Sequence, residues 1–188
     1  MEVIGLLGHQ GVGKNYIAEN ILSKVLKSKN TVVIALADHF KIDAICKHNL
    51  EFSKVFGQKD FKTRKKLQEL GTEEGRNKYG YDIWINILYS WMKILYQRGT
   101  KRFIIPDLRF QNEVDWCKSI GGIVIKINAP QRYLKRLQQE TTNDITMQTS
   151  IMNHLSEKGI DKIQNYDYEV NNDFENQIEV EIKKIFNF

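Results

Sequence analysis

Apolar positions along the chain change period repeatedly, and each change marks a predicted element. Met1 to Leu7 is apolar apart from Glu2 and Gly5, the pattern of a short buried strand. From Lys14 the spacing turns helical, with Ile17, Ile21, Leu22, Val25 and Leu26 on one face. Thr31 to Ala37 is a β-branched run that predicts a second buried parallel strand, followed by a helix near Ile42 to His48. Glu51 to Lys62 has no clear period and reads as loop or short helix. Thr63 to Arg76 is a charged helical stretch whose poor apolar spacing core burial does not explain. Tyr81 to Arg98 is amphipathic, with Ile83, Trp84, Ile87, Leu88, Trp91, Met92 and Leu95 at helical spacing. Arg102 to Pro106 predicts a third strand, Asn112 to Ser119 a helix closed by Gly121-Gly122, and Ile123 to Ile127 a fourth strand. Pro130 opens another helix. Glu140 to Ser150, polar and rich in Thr and Asn, predicts a mobile loop. Tyr166 to Val170 makes a fifth strand, and Phe174 to Phe188 a closing helix.

Strands alternating with helices predict an α/β fold of three layers, a five-stranded parallel sheet flanked by helices. A chain of 188 residues without a Pro-, Gly- or Ser-rich linker fits one domain. Hydrophobic content of 41% and charged content of 27% are those of a soluble globular protein. No apolar stretch approaches the roughly 18 residues needed to cross a bilayer, and no secretion signal is visible. Cys46 and Cys117 lack metal-ligand spacing and read as reduced thiols, so a cytoplasmic setting without a membrane partner is expected. A net charge of +5 suits an anionic partner without identifying one.

The chemistry starts at the first turn, Gly8-His9-Gln10-Gly11-Val12-Gly13-Lys14-Asn15. A strand, a glycine-rich turn ending in Gly-Lys and then a helix form the context of a phosphate-binding loop for ATP. Backbone N–H groups turn inward, the helix N-terminus adds partial positive charge, and Lys14 supplies a full one. The pattern asks for Ser or Thr after the lysine to ligate Mg²⁺. Asn15 stands there, a weaker ligand for a hard cation.

Ligands of open α/β sheets sit beyond the carboxyl ends of the strands. Asp38 and Lys41 lie on that edge; Asp38 is either a helix N-cap or a ligand, and Lys41 can meet a substrate phosphate. In the charged stretch, Arg64 and Arg76 can hold an anionic group while Gln68 offers both donor and acceptor to a base edge. Asp82 either caps the following helix or binds a sugar hydroxyl, and Trp84 either packs or stacks. Asp107, at a strand tip, can hold Mg²⁺ or its waters, and Arg109 can neutralise a transferred phosphoryl group; an internal Asp–Arg pair is the alternative. Arg132 and Arg136 share one helix face, either as lid arginines or as a solvated surface. Glu157 either orients a lid arginine or is exposed. The turn at Asn171-Asn172-Asp173 would lie near the base of a bound nucleotide.

Four stretches carry a resemblance: the loop with a non-hydroxyl residue after its lysine; LADHFK at 36–41; LQELGTEEGR at 67–76 with DIW at 82–84; and DLRFQNE at 107–113 with HLSE at 154–157. In these the chain resembles the deoxynucleoside monophosphate kinases of phages and large DNA viruses. In that family an Asp or similar residue commonly follows the lysine, so Asn15 fits. The resemblance implies a P-loop kinase core of the nucleoside monophosphate kinase type, with an acceptor region at about 38–84 and a lid at about 130–157. It implies transfer of the γ-phosphate of ATP, with Mg²⁺, to a deoxynucleoside 5′-monophosphate in DNA precursor synthesis, and a homodimer belongs to the same expectation. Animal-type phosphomevalonate kinases look similar in the loop, in the Asp-x-Arg at a strand end and in the late Ser-Glu. Gln68, Thr72 and the Asp82/Trp84 pair favour a nucleotide acceptor over that one. A nucleic-acid-binding protein is the rival from another class, suggested by the basic run KDFKTRKK at 59–66 but disfavoured by Glu69, Glu73 and Glu74 directly after it.

Overall fold

Strands β1 (Glu2–Leu7), β2 (Thr31–Val33), β3 (Arg102–Leu108), β4 (Ile123–Asn128) and β5 (Tyr168–Asn171) form one parallel sheet in the order β2-β3-β1-β4-β5. The computed structural model describes residues 1–26, 30–57, 59–173 and 177–187. Helices cover both faces: α1 (residues 14–25), α2 (Asp38–His48), α3 (Phe52–Phe56), α4 (Phe61–Gly71), α5 (Ile83–Gln97), α6 (Gln111–Ser119), α7 (Pro130–Glu140), α8 (Ile145–Asn153), α9 (Leu155–Lys158) and α10 (Gln177–Ile185). Val3, Leu7, Phe103 and Ile105 pack against Leu88 and Met92 of α5 and Val114 and Cys117 of α6. Ile4, Leu6, Ile104 and Ile125 pack on the other face, against Ile17 and Leu22 of α1 and Ile178 and Ile182 of α10. Burial on both faces is why the central strands read as unbroken apolar runs. A third cluster, Ala44, Val55, Leu67 and Leu70, ties α2, α3 and α4 together beside the sheet, with Phe40 bridging it to the core.

Two departures from the sequence expectation share one cause. β3 runs past Pro106 to Leu108, and its register against β1 shifts between Gly5 and Leu7, which pair with Ile105 and Leu108. Proline in an interior strand needs such a bulge, because it cannot donate to the ladder. The bulge sends the Asp107 carboxylate toward the neighbouring segment, where its oxygens accept the Leu36 and Ala37 N–H groups at 2.9 and 2.8 Å. β2 therefore stops at Val33 instead of running to Ala37. A side chain takes over from the ladder.

The stretch 140–150 is not the loop its polarity suggested. Asp144 accepts the Met147 N–H at 3.0 Å and caps α8, which Ile151 anchors in the interior. The expected closing helix is present as α10, while Phe174 and Phe188 lie outside the described residues. Among the described residues no helix is long and apolar enough to cross a membrane.

Candidate active site

The loop after β1 ends at Gly13, whose φ of 90° is left-handed and admits glycine readily, and α1 starts at Lys14. Gly11 is open for another reason: a Cβ there would lie 2.8 Å from the Arg136 Cβ, so α7 can close directly over the loop. Lys14 is buried, and its ammonium donates to the Gly8 and His9 carbonyls at 2.5 Å each. Burial, with Arg109 nearby, holds its pKa well below the ordinary lysine value. Gln10, Gly11, Gly13, Lys14 and Asn15 line a cleft of about 420 Å³; Gly8, His9 and Val12 stand behind them.

Asn172 is also behind the loop. It is buried, its side-chain amide donates to the Val12 carbonyl at 2.8 Å, and its backbone N–H bonds Asn128 at 2.7 Å. It braces the loop rather than facing the cleft. The His9 ring lies tilted beside that of Tyr133, 4.8 Å between centres, and hydrogen-bonds Glu157 at 3.1 Å and Asp161 at 3.0 Å. Burial lowers its pKa, with Asp161 pulling the other way.

Asp107 lines the same cleft as the loop, and burial raises its pKa against the pull of Lys41. Each of its oxygens keeps a lone pair beyond the backbone bond already made. With the Asn15 amide, the donors are hard oxygens of the kind Mg²⁺ takes, and phosphates and water would complete its shell. The described residues hold no group of three His, Cys, Asp or Glu side chains arranged for a metal. Asp38 does not cap α2. Its carboxylate closes the preceding turn by accepting the Ala35 N–H at 2.9 Å and meets Lys41 at 3.3 Å.

The other half of the cleft is walled by Phe40, Phe56, Trp84 and Phe110, with Gln68 and Thr72 at its edge. α4 continues into a wide π-type turn, Thr72–Arg76, a geometry often found at functional sites. Trp84 is both packed and part of the wall: its indole N–H donates to Gly71 at 2.7 Å, and its ring lies 5.0 Å from that of Phe40. Asp82 is not brought to this cleft. It accepts from the Asn112 amide at 2.8 Å on the outer surface and makes no capping bond to α5.

Four arginines reach the cleft, each backed by a carboxylate. Arg76 pairs with Glu113, donates to the Tyr81 carbonyl at 2.8 Å and lies 4.2 Å from the Phe110 ring centre. Glu113 also accepts the Arg109 and Phe110 N–H groups, at 2.6 and 3.1 Å. Glu157 is 1% exposed, not a surface residue, and the arginine it pairs with is Arg109 rather than Arg132 or Arg136. Arg64 and Arg136 share Glu140. Arg132 stays outside the cleft lining, its backbone N–H bonded to Asp173 at 3.2 Å.

The sequence reading missed Glu140, Lys59 and the phenylalanines. Glu140 stands four residues after Arg136, a helical pairing distance that was available as a signal. Lys59 lines the cleft from an aperiodic segment that offered none. Burial, followed by Arg64 and Lys41, pushes its pKa down to about 8.

Three comparisons bear on this geometry. Residues 6–122 match the family model of phosphomevalonate kinase. A mimivirus protein (Acanthamoeba polyphaga mimivirus), provisionally named a deoxynucleotide monophosphate kinase, is 28% identical over 151 residues, covering 69% of this chain and 75% of its own. Among solved structures, shikimate kinase from Bacteroides thetaiotaomicron superposes with a TM-score of 0.54 at 13% identity, over 99% of this chain and 98% of its own. Dephospho-CoA kinase from Campylobacter jejuni gives 0.52 at 18%, over 100% and 96%. These likenesses identify the fold as that of the P-loop kinases.

Proposed function

This chain belongs to the phosphomevalonate kinase family, and from that premise we propose that it transfers the γ-phosphate of ATP to a deoxynucleoside 5′-monophosphate. The observation that carries this reading is the aromatic wall of Phe40, Phe56, Trp84 and Phe110 with the Gln68 amide at its edge. Flat apolar faces suit a base, and an amide offers both donor and acceptor to its edge. The mimivirus relative supports the same acceptor.

In this reading Lys14 and the loop amides hold the β- and γ-phosphates. Arg64, Arg76, Arg109 and Lys41 divide between the acceptor phosphate and the group in transfer. Residues 38–84 receive the acceptor, and 130–157 close as the lid, with Arg136 facing the reaction. Asp107 and Asn15 would hold Mg²⁺, directly or through water, and the bound ion would supply neutralisation of the charge that develops on the phosphates. The acceptor oxygen is already largely ionised at neutral pH, so no strong general base is needed. Lid closure would exclude water and prevent wasteful hydrolysis of ATP.

The second reading, phosphorylation of phosphomevalonate or another small phosphomonoester, is favoured by the family match itself. Gln68→Ala separates the two. A base-reading Gln68 predicts a change of about tenfold in preference among deoxynucleoside monophosphates, with ATP affinity retained. Uniform loss across all bases would count against base readout.

A further inference from the structure

Glu140 ends α7, and its side chain is 1% exposed. It accepts from Arg64 Nε at 2.5 Å, from Arg64 Nη2 at 2.7 Å and from Arg136 Nε at 2.8 Å. The two arginines come from different walls. Arg64 belongs to α4, which also carries Gln68, and Arg136 belongs to α7, whose Arg136 side-chain stem and Arg132 carbonyl lie against Gly11 of the phosphate loop. Both arginines line the cleft while Glu140 does not, so the carboxylate sits behind the guanidinium groups rather than in the space they face. A guanidinium has five N–H donors. The bonds to Glu140 use two of them on Arg64 and one on Arg136, which leaves both groups with donors for a further anion.

The charge around this trio is also unbalanced. Lys59 and Lys41 influence the same neighbourhood; Lys41 is paired with Asp38 at 3.3 Å, whereas Glu140 serves two arginines and is felt by Lys59 as well. Among the described residues Lys59 makes a long bond to the Gly57 carbonyl, at 3.3 Å. Such a surplus of fixed cations, partly desolvated, favours a phosphoryl group carrying more than one negative charge.

We propose that Glu140 is a positioning residue that couples the acceptor wall to the lid, holding Arg64 and Arg136 side by side so that one phosphoryl group is gripped from both. This rests on the kinase reading of the cleft and holds for either acceptor. Without the carboxylate, two half-buried guanidinium groups would repel and splay toward water, and α7 would lose its tie to α4. Placement of the transferring group, rather than ATP binding at the loop, would suffer.

The test is Glu140→Gln, which keeps shape and acceptor oxygen but removes the charge, together with Glu140→Asp, Arg64→Ala and the double variant. With the acceptor that the enzyme turns over best, Glu140→Gln should lower kcat on the order of tenfold or more and raise the acceptor KM. Affinity for a non-hydrolysable ATP analogue should stay within about twofold, and Glu140→Asp should recover part of kcat. In the Arg64→Ala background the further loss from Glu140→Gln should shrink to that carried through Arg136 alone. Full additivity of the two changes, or an unchanged kcat in Glu140→Gln, would overturn the proposal. Should the variants lose the fold, seen as a collapsed thermal transition, Glu140 would be structural and the proposal equally overturned. If no nucleotide acceptor is turned over, the acceptor reading fails while phosphomevalonate still serves for this test.

Discussion

Lys59 carries its amine into a cleft already holding Arg64, Lys41 and Arg136, and burial first, then those cations, pushes its pKa down to about 8. The sign of the pH effect follows. A folded pKa below the unfolded one means that the cost of keeping the ammonium there is fully present below about pH 8 and eases as pH rises through that value. A bound phosphate would reverse the preference by favouring the charged form. Binding of ATP or of the acceptor should therefore take up a proton at about pH 8 and above, and affinity should fall as pH climbs. Calorimetry in two buffers of different ionisation enthalpy measures that uptake. It should vanish in Lys59→Met; uptake that persists there belongs to another group. At this scale legibility depended on context. Arg64, Gln68 and Arg76 stood out because dense charge on a helix lacked a core explanation, and all three reach the cleft. Lys59 stood out only as part of a basic run and not as a cleft residue, because its segment has no period. Asp82 looked functional from its place before a helix, yet faces Asn112 outside.

Individual elements were legible where periodicity was strong and failed where a side chain replaced a backbone partner. The strands and α5 follow their apolar patterns to within a few residues. β2 is shorter than its apolar run because the Asp107 carboxylate takes the Leu36 and Ala37 N–H groups. Nothing local to residues 31–37 encodes that bond, which forms across seventy positions of chain. The helix at Ile145–Asn153 was hidden because its buried apolar anchor is Ile151 alone. The wide turn at Thr72–Arg76 is held by close packing: a Cβ on Gly75 would overlap the Trp84 ring and lie 2.8 Å from the Leu70 carbonyl. Gly75→Ala should thus cost about 1–3 kcal/mol in urea unfolding and loosen acceptor binding, because the same ring walls the cleft. An unchanged unfolding midpoint would mean that the turn has slack.

The whole molecule places its chemistry where the sheet order puts it. β1 and β3 are neighbours, so the phosphate loop after one and the Asp107–Arg109 edge of the other meet at the same end of the sheet. That arrangement was readable from strand–turn–helix order and from the residues at strand ends. What the sequence could not display was which arginine each carboxylate backs across the fold: Glu113, Glu140 and Glu157 come from separate elements and reach Arg76, Arg64 and Arg109 only in three dimensions. Such buried pairs are weak sources of stability, but they fix where each guanidinium points. The basic run at 59–66 also looks different in three dimensions. Lys59 and Arg64 line the cleft, and Lys66 pairs with Glu74 at 2.7 Å and Glu69 at 3.5 Å, so its charge does not form one continuous stripe. Membership of the phosphomevalonate kinase family and a mimivirus relative with a nucleotide kinase name leave the acceptor as the point on which the account stands. Mg²⁺-dependent ADP release, measured across the deoxy- and ribonucleoside monophosphates with phosphomevalonate alongside, addresses it directly. Turnover with at least one deoxynucleoside monophosphate well above that with phosphomevalonate is expected; turnover with phosphomevalonate and none with any nucleotide would contradict the nucleotide acceptor.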